Sequence, residues 1–309
     1  MILTLDSSLK QADDKTKYQL AQLIVCIVKN GHYVKDHPAT WQWIESCVLK
    51  DNFLSKYDIE LIKKNQEFRD CPMIFDRYLS QVVVGYSVGM ITPLEAMNLV
   101  SMPSYIVVEN DNNDWPVLRK WIELLKNDRN FKTINRLVEK KKNEKVLRPY
   151  NAGSSGQIIN TLNQRMTDFG TLSKYKVMAL YDSDKTTIHA ELSNEKKRIS
   201  EHIINCELIG HVLYKREMEN YFPLDCYIAA CLADEGLSYP SGSDWDFIDV
   251  EKFIKSKSKR KYEKKDLPTL VDYISKEFLE ERVYHHPVNH QGIVITEIQN
   301  IILKFAKIV

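Results

Sequence analysis

Apolar residues in the first hundred positions recur mainly at helical spacing. One set that a helix would place on a single face consists of Leu20, Leu23, Ile24 and Ile27. Asn30-Gly31 follows this set and is typical of a helix end, and Pro93 opens another short apolar stretch. We therefore expect residues 1–103 to form a helical N-terminal region.

From Ser104 onward the pattern changes to short apolar runs, each followed by a stretch of helical spacing. The runs are rich in Val, Ile, Leu and Tyr, as buried parallel strands are. They are Tyr105–Val108, Val146–Leu147 with its flanking residues, Val177–Tyr181 and His211–Tyr214. Alternating strands and helices predict an α/β domain over residues 104–235, with a four-stranded parallel sheet between helices.

Polar residues at the expected helix starts fit this alternation. Asp114 stands two residues before a proline, which is favoured in a first helical turn. Ser154 or Ser155 is placed to cap the helix after the second strand, and Ser193 the helix after the third.

After Pro223 the apolar spacing becomes helical again. Residues 236–309 are expected to form a helical C-terminal extension, with helices at roughly 268–283 and 292–308. The segment 255–265, KSKSKRKYEKK, is strongly basic.

The composition is that of a globular protein. The 309 residues include 28% charged and 44% hydrophobic residues, and the formal net charge is +1. Bulk charge therefore gives no sign of a nucleic-acid partner, which would have to be met by local basic patches.

The cysteines and the lengths of the apolar runs indicate in which cellular compartment the protein is expected. The six cysteines form no CxxC pair and lie mostly in apolar runs, so we expect free thiols in a reducing environment. The N-terminus lacks the apolar stretch of a signal peptide. No apolar run approaches the roughly 20 residues that span a membrane. We expect a cytoplasmic protein without a membrane partner.

Acidic residues follow three of the four predicted strands. Glu109 follows the first, Asp182 and Asp184 the third, and Glu217 and Glu219 the fourth. In parallel α/β sheets, functional residues gather beyond the carboxyl ends of the strands. One acid after a strand is commonly only a solvated loop residue or a helix cap, but acids after three strands of one sheet favour a functional site.

The spacing of Asp182 and Asp184 favours a metal ion. In an extended segment, side chains two residues apart point the same way, and two neighbouring carboxylates repel each other unless a cation lies between them. Mg²⁺ takes hard oxygen ligands of this kind. In phosphoryl transfer such ions activate water and neutralise charge on the leaving oxygen.

The motifs YIVVEN…D and VMALYDSD resemble a TOPRIM domain, and HVLYKREMENYFP is similar to the end of that domain in OLD-family nucleases and stand-alone TOPRIM effectors of bacterial anti-phage defence. The resemblance covers about residues 104–235. It implies a nuclease that hydrolyses phosphodiester bonds of DNA or RNA with one or two Mg²⁺ or Mn²⁺ ions. By motif match, Glu109 is a metal ligand or base, Asp182 and Asp184 bind metal, and Glu219 is the acid after the last strand.

Two positions depart from the family pattern. Asn110 stands where the family usually has glycine, and asparagine tolerates left-handed backbone better than other residues with a side chain. The expected acid four positions after the family glutamate is Asn113 here, followed by Asp114, which is an additional candidate ligand and equally a helix cap.

Several basic residues are candidates for contacting phosphate. Lys185 and Lys215 flank the acidic motifs, although a solvated lysine is the commoner outcome. Gly153–Gly156 is a weak candidate for a phosphate-binding turn. The expected nucleic-acid-binding residues are Lys255, Lys257, Lys259, Arg260 and Lys261. A second patch is expected to be a solvated helix end, and it comprises Lys140–Lys142, Lys145 and Arg148.

Two other functions fit the same residues. The sequence DSDKT fits the DxDxT motif of haloacid-dehalogenase-like phosphatases, with Asp182 as nucleophile, but it leaves Glu109 unexplained. A catalytically inactive TOPRIM-like scaffold that binds protein or nucleic acid is the other. The chain has no GxxxxGK[ST] motif, so control by ATP would require an ATPase or sensor partner in trans. The sequence leaves DNA versus RNA, the mode of cutting and the oligomeric state open.

Overall fold

The computed structural model describes residues 1–49, 53–280, 287–290 and 292–309. The chain divides into two compact units. The first contains Met1–Pro103 with Ala306–Val309, and the second contains Ser104–Phe305. Among the described residues, no helix combines the length and apolar character that crossing a bilayer requires.

The first unit contains a three-stranded parallel sheet, so the expectation of a helical N-terminal region is wrong in this respect. Its strands are β1 (Ile2–Leu5), β2 (Tyr33–Asp36) and β3 (Gln81–Val84), in the order β2-β1-β3. Each strand has only four residues. That is too short for alternation to stand out beside the helical pattern. The helices of this unit are α1 (Asp14–Lys29), α2 (Pro38–Cys47), α3 (Lys56–Lys64), α4 (Phe75–Tyr78) and α5 (Pro93–Ser101).

The second unit contains the predicted four-stranded parallel sheet. Its strands are β4 (Ser104–Val108), β5 (Leu147–Asn151), β6 (Val177–Tyr181) and β7 (Ile209–Val212), in the order β5-β4-β6-β7. Strand β7 lies two residues earlier than predicted. Glycine is depleted in strands, so the pattern gave no strand at Gly210. Gly210 nevertheless belongs to β7, where a Cβ would come within 2.8 Å of the Ile203 side chain.

Helices flank this sheet. They are α6 (Asp111–Leu125), α7 (Lys132–Asn143), α8 (Ile158–Phe169) and α9 (Asn194–Asn205). Helices α8 and α9 share a buried core with the sheet, in which Leu162 and Ile199 pack with Val107 and Ala179. Strands β4 and β6 are interior to the sheet, and Val107 and Ala179 are fully buried. The carboxyl ends of β4 and β6 are therefore held rigidly side by side.

The C-terminal part is less helical than expected. It contains α10 (Leu224–Ala229), α11 (Val250–Lys257), a 3-10 helix (Lys264–Asp272), α12 (Lys276–Glu280), an antiparallel hairpin of β8 (Pro287–His290) and β9 (Ile293–Thr296), and α13 (Glu297–Ile308). The helix predicted over 268–283 is instead two short helices, and its residues 281–283 lie outside the described part of the chain. The helix predicted from 292 begins at Glu297, because the β-branched run Ile293–Thr296 forms a strand.

Candidate active site

Glu109 and Asp182 lie side by side at the carboxyl edge of the second unit's sheet. Glu109 directly follows β4 and Asp182 directly follows β6, and these strands are hydrogen-bonded neighbours. The backbone N–H of Asp182 donates to Glu109 Oε1 at 3.2 Å. The sheet register thus brings together two carboxylates that the sequence motifs singled out.

A buried lysine, Lys196, joins Glu109 to Asp184. Its Nζ lies 2.5 Å from Glu109 Oε1 and 3.0 Å from Asp184 Oδ2. It also donates to Ser155 Oγ at 2.8 Å, and that hydroxyl donates to Glu109 Oε2 at 2.7 Å. The Lys196 side chain is fully buried. The Glu109 carboxylate is therefore held by Lys196, by Ser155 and by the Asp182 N–H.

Sequence reasoning did not find Lys196, although a signal for it exists. Lys196 lies in the first turn of α9, where Ser193 caps the helix as predicted by accepting from the Lys196 N–H at 3.3 Å. The N-terminus of a helix carries a partial positive charge, so a lysine there is unfavourable unless an anion compensates it. A lysine in this position indicates acidic partners elsewhere in the chain.

Ser155 does not cap a helix, and neither does Ser154. A 3-10 turn, Ser155–Gln157, precedes α8, and neither this turn nor α8 has a side-chain cap. The prediction of a serine cap is wrong because the Ser155 hydroxyl is used by Glu109 and Lys196 instead. Part of the Gly/Ser loop thus contributes to the acidic site.

Asp184 has a left-handed backbone, with φ of 56°. The expectation that Asp182 and Asp184 share one side of an extended segment therefore has the wrong premise. The N–H groups of Ser183 and Asp184 both donate to the Arg216 carbonyl, at 3.1 and 3.0 Å. These bonds tie the chain after β6 to the chain after β7 and turn Asp184 toward Lys196.

Glu219 lies on a 3-10 helix, Met218–Tyr221, that follows β7. It is buried, with 4% of its surface exposed. Lys264 Nζ lies 2.7 Å from Glu217 Oε2 and 3.7 Å from Glu219 Oε1. Burial lowers the pKa of Lys264, but Glu219 and Glu217 outweigh it, so that the pKa lies above its ordinary value. Lys264 thereby fastens the end of the basic segment to the acidic residues.

Asp114 lies inside the first turn of α6 and is not its cap. The helix begins at Asp111, and Asn110 is the cap, with an extended φ of −145°. The left-handed turn expected at Asn110 is therefore not formed. Asp114 Oδ2 accepts the Asn110 N–H at 3.0 Å. Burial, and then the charges of Glu219 and Glu109, raise the pKa of Asp114 to about 7.

Asp182 lies at the electrostatic centre of these acids. Burial raises its pKa well above its ordinary value, and Glu109, Glu219, Asp114 and Glu217 raise it further. Burial likewise raises the pKa of Glu219 to about 7, although Lys264 opposes the shift. The ammonium groups of Lys196 and Lys264 therefore do not supply enough positive charge to balance the carboxylates of the cluster.

The donor set fits a hard divalent cation. Carboxylate oxygens are the ligands that Mg²⁺ and Mn²⁺ prefer. Within the described residues, the Asp182 side chain forms no hydrogen bond or ion pair. In the same part of the chain, no three Asp, Glu, His or Cys side chains are already arranged as a metal-binding group. Asp182, with Glu109, Asp114 and Glu219 around it, would hold such an ion.

The two flanking lysines take other positions. Lys215 is buried, and its Nζ lies 2.6 Å from Asp246 Oδ1 and donates to the Asn220 carbonyl at 3.1 Å. Burial lowers the pKa of Lys215, and Asp246 opposes this. Lys185 lines a cavity beside β7 with His211.

The expected nucleic-acid-binding side chains are all exposed. They are Lys255, Lys257, Lys259, Arg260 and Lys261. Lys255 pairs with Glu251 at 2.5 Å. The others form no ion pair within the described residues. Lys264, near the end of this segment, is its contact with the acidic cluster, through Glu217 and Glu219.

Comparisons of this chain with protein-family models, with curated proteins and with solved structures each find no match. The TOPRIM resemblance therefore stays a prediction that rests on its motifs.

The pKa values of the cluster predict how the stability of the metal-free protein depends on pH. Glu219 has an ordinary pKa of 4.5 and a folded-state pKa of about 7, so the folded state binds more protons between these values. The free energy of unfolding contributed by Glu219 should therefore fall as pH rises through this window. Thermal unfolding of metal-free protein from about pH 5 to about pH 8 measures this. Glu219→Gln should reduce the fall, and an unchanged pH profile would contradict the assignment.

Removal of the Lys196 ammonium should destabilise the protein. Lys196→Met leaves Glu109 and Asp184 without their cation and should cost about 2–3 kcal/mol. This is below the range for fully buried pairs, because Asp184 is 43% exposed. Denaturant unfolding measures the loss. The matched control is Lys197→Met, which removes an exposed pair with Glu191 and should change stability by less than about 0.5 kcal/mol. Equal losses in both variants would refute the role of Lys196.

Proposed function

We propose that this protein is a Mg²⁺- or Mn²⁺-dependent nuclease that hydrolyses phosphodiester bonds of DNA or RNA. The observation that carries the proposal is the position of the Asp182 carboxylate. It lies beyond the carboxyl edge of a parallel sheet, among other carboxylates that raise its pKa, without a partner of its own within the described residues. Such a cluster favours a multivalent cation, and the motifs around it resemble those of TOPRIM nucleases.

In this proposal, the side chains of the site have separate roles in binding metal and in activating water. Bound ions would supply an acidified water and neutralise charge on the phosphate and leaving oxygen. Asp182, Asp184 and Glu219 would hold the ions, with Asp114 as an additional ligand. Glu109 would act as ligand or base, and Lys196 and Ser155 orient its carboxylate through both oxygens. Fixed orientation matters because a general base must lie within hydrogen-bond reach of the proton that it removes.

The basic segment would hold the substrate. Lys264 ties the end of this segment to Glu217. The exposed cations before it would contact the phosphate backbone with release of counterions. An effector role in anti-phage defence, in a cytoplasmic setting, with an ATPase or sensor partner in trans, belongs to the same proposal and rests on the motif resemblance.

The phosphatase alternative uses fewer of the site's contacts. In that mechanism Asp182 attacks phosphorus and Glu109 has no task. Yet Glu109 accepts hydrogen bonds from Asp182 N–H, Ser155 and Lys196. An inactive scaffold would likewise give no reason to hold Glu109 in place. We therefore favour the nuclease.

Glu109→Gln tests the choice between nuclease and phosphatase. The amide lacks the charge and the basicity of the carboxylate, so cleavage of a polynucleotide with Mn²⁺ should fall by about 10²–10⁴-fold. The matched control, Glu191→Gln, changes an exposed glutamate with 82% exposure and should cleave at the parent rate. Initial rates on plasmid, linear DNA and tRNA measure the effect.

The same variants should be assayed on a small phosphomonoester. Phosphomonoester turnover that survives Glu109→Gln and is lost in Asp182→Asn would establish the phosphatase instead. A folded Glu109→Gln protein that cleaves polynucleotide at the parent rate would refute the proposed mechanism.

A further inference from the structure

A second concave site lies along the outer edge of strand β5. The cavity has a volume of about 620 Å³. Four cationic side chains line it, and they are Arg119, Lys142, Lys145 and Arg148. Trp115 contributes an aromatic ring, and none of the lining residues is acidic. The remaining lining residues are apolar or uncharged.

The positive charge of this cavity is only partly offset by nearby acids. Within the described residues, none of the four forms an ion pair. Two neighbouring acids pair with other lysines, since Glu144 binds Lys140 and Lys141 and Glu139 binds Lys126. Burial lowers the pKa of Lys142, Glu139 and Glu123 oppose the shift, and the positive charge of Arg119 adds to it. A pocket with this charge is suited to a polyanion.

The basic patch that the sequence analysis interpreted as a solvated helix end is therefore divided by the fold. Lys141 is buried, with 1% exposure, and Lys140 pairs with Glu144. Lys142, Lys145 and Arg148 instead meet Arg119 of α6, which comes from a different part of the sequence.

The edge strand itself excludes one kind of occupant. Among the described residues, strand β5 pairs only with β4, and no strand lies along its other edge. Pro149 lies in this edge and lacks an N–H, so an added peptide strand could not form a regular ladder there. The cations and the indole, rather than backbone pairing, must supply recognition.

One end of the cavity approaches the acidic cluster along α6. Trp115 follows Asp114 directly, and Trp115 and Arg119 share a helix face because they are four residues apart. At 1.5 Å per residue, Arg119 lies about 7.5 Å along the helix from Asp114. That is about two nucleotides of a stacked strand at roughly 3.4 Å each.

We propose that this cavity binds single-stranded polynucleotide, with its cations on successive phosphates and Trp115 stacked on an unpaired base. Every base has a face on which an aromatic ring can stack, whereas bases in a duplex are already stacked on each other. The inference takes its substrate class from the proposed nuclease function and adds the subsite and the preference for single strands.

Binding can be measured separately from cleavage. The probe is a fluorescent single-stranded oligonucleotide, with its duplex as comparison, in EDTA and in the Asp182→Asn background. Arg119→Gln with Lys145→Gln removes two cations whose side chains form no hydrogen bond or ion pair within the described residues. Arg148 donates to the Lys145 carbonyl and is left intact. This double variant should weaken single-strand binding at low salt and flatten the plot of log affinity against log salt by about 1.4.

The matched control is Arg129→Gln with Lys132→Gln. It removes the same charge from exposed positions at the other end of α7, outside the cavity, and should leave both quantities unchanged. Trp115→Leu should weaken single-strand binding by roughly tenfold, and Trp115→Phe should largely retain it. Duplex binding should respond to the two charges but not to the ring.

Three outcomes would overturn the inference. One is equal weakening in the cavity variant and its control. Another is a Trp115 result that does not fit stacking on single strands. Either Trp115→Leu and Trp115→Phe weaken single-strand binding equally, or Trp115→Leu weakens duplex binding alone. The third is a site for free anions, in which inorganic phosphate raises the melting temperature of the parent but not of the double variant while oligonucleotide affinity is the same in both. Failure of the protein to cleave any substrate would refute the nuclease proposal and leave these binding results standing.

Discussion

Like charges at the ends of β4, β6 and β7 repel each other, and the second unit has to hold them together without a full set of countercharges. Lys196 offsets part of the repulsion by binding Glu109 and Asp184 from a fully buried position. Lys264 does the same for Glu217 and Glu219 from the C-terminal part of the chain. The repulsion that these lysines do not offset is greatest at Asp182, whose pKa is raised by burial and by the neighbouring acids. A divalent cation would remove the remaining repulsion.

Rigid strands and hydrogen bonds between loops make this arrangement possible. Neighbouring strands β4 and β6 fix Glu109 and Asp182, and the Arg216 carbonyl binds the loop that carries Asp184. Pieces far apart in sequence complete the site, since Lys196 and Ser155 lie 87 and 46 residues from Glu109. The strands of the sheet position the acids that follow them, whereas the groups that orient these acids lie on the intervening helices and turns. Loss of an orienting group should therefore alter the site without altering the sheet.

The sequence predicts the acids better than their partners, for a physical reason. Apolar runs of four or five residues mark β4 and β6, and the position after a parallel strand is defined by the run itself, so Glu109 and Asp182 can be found. Lys196, Ser155 and Lys264 depend on how helices pack on the sheet, which no local pattern encodes. The left-handed φ of Asp184 and the cap at Asn110 also depend on contacts outside their own segments. The short strands of the first unit were missed because four residues carry little periodicity.

The central claim is that the carboxylates around Asp182 form a divalent-cation site. Anomalous diffraction from crystals soaked in Mn²⁺ tests it most directly, because the signal locates the metal without reference to activity. We predict a peak within coordination distance, about 2.0–2.2 Å, of a carboxylate oxygen of Asp182 and of at least one of Glu109, Asp114, Asp184 and Glu219. The peak should be lost in Asp182→Asn. A fully ordered acidic cluster without a peak there, at Mn²⁺ concentrations that support cleavage, would contradict the claim.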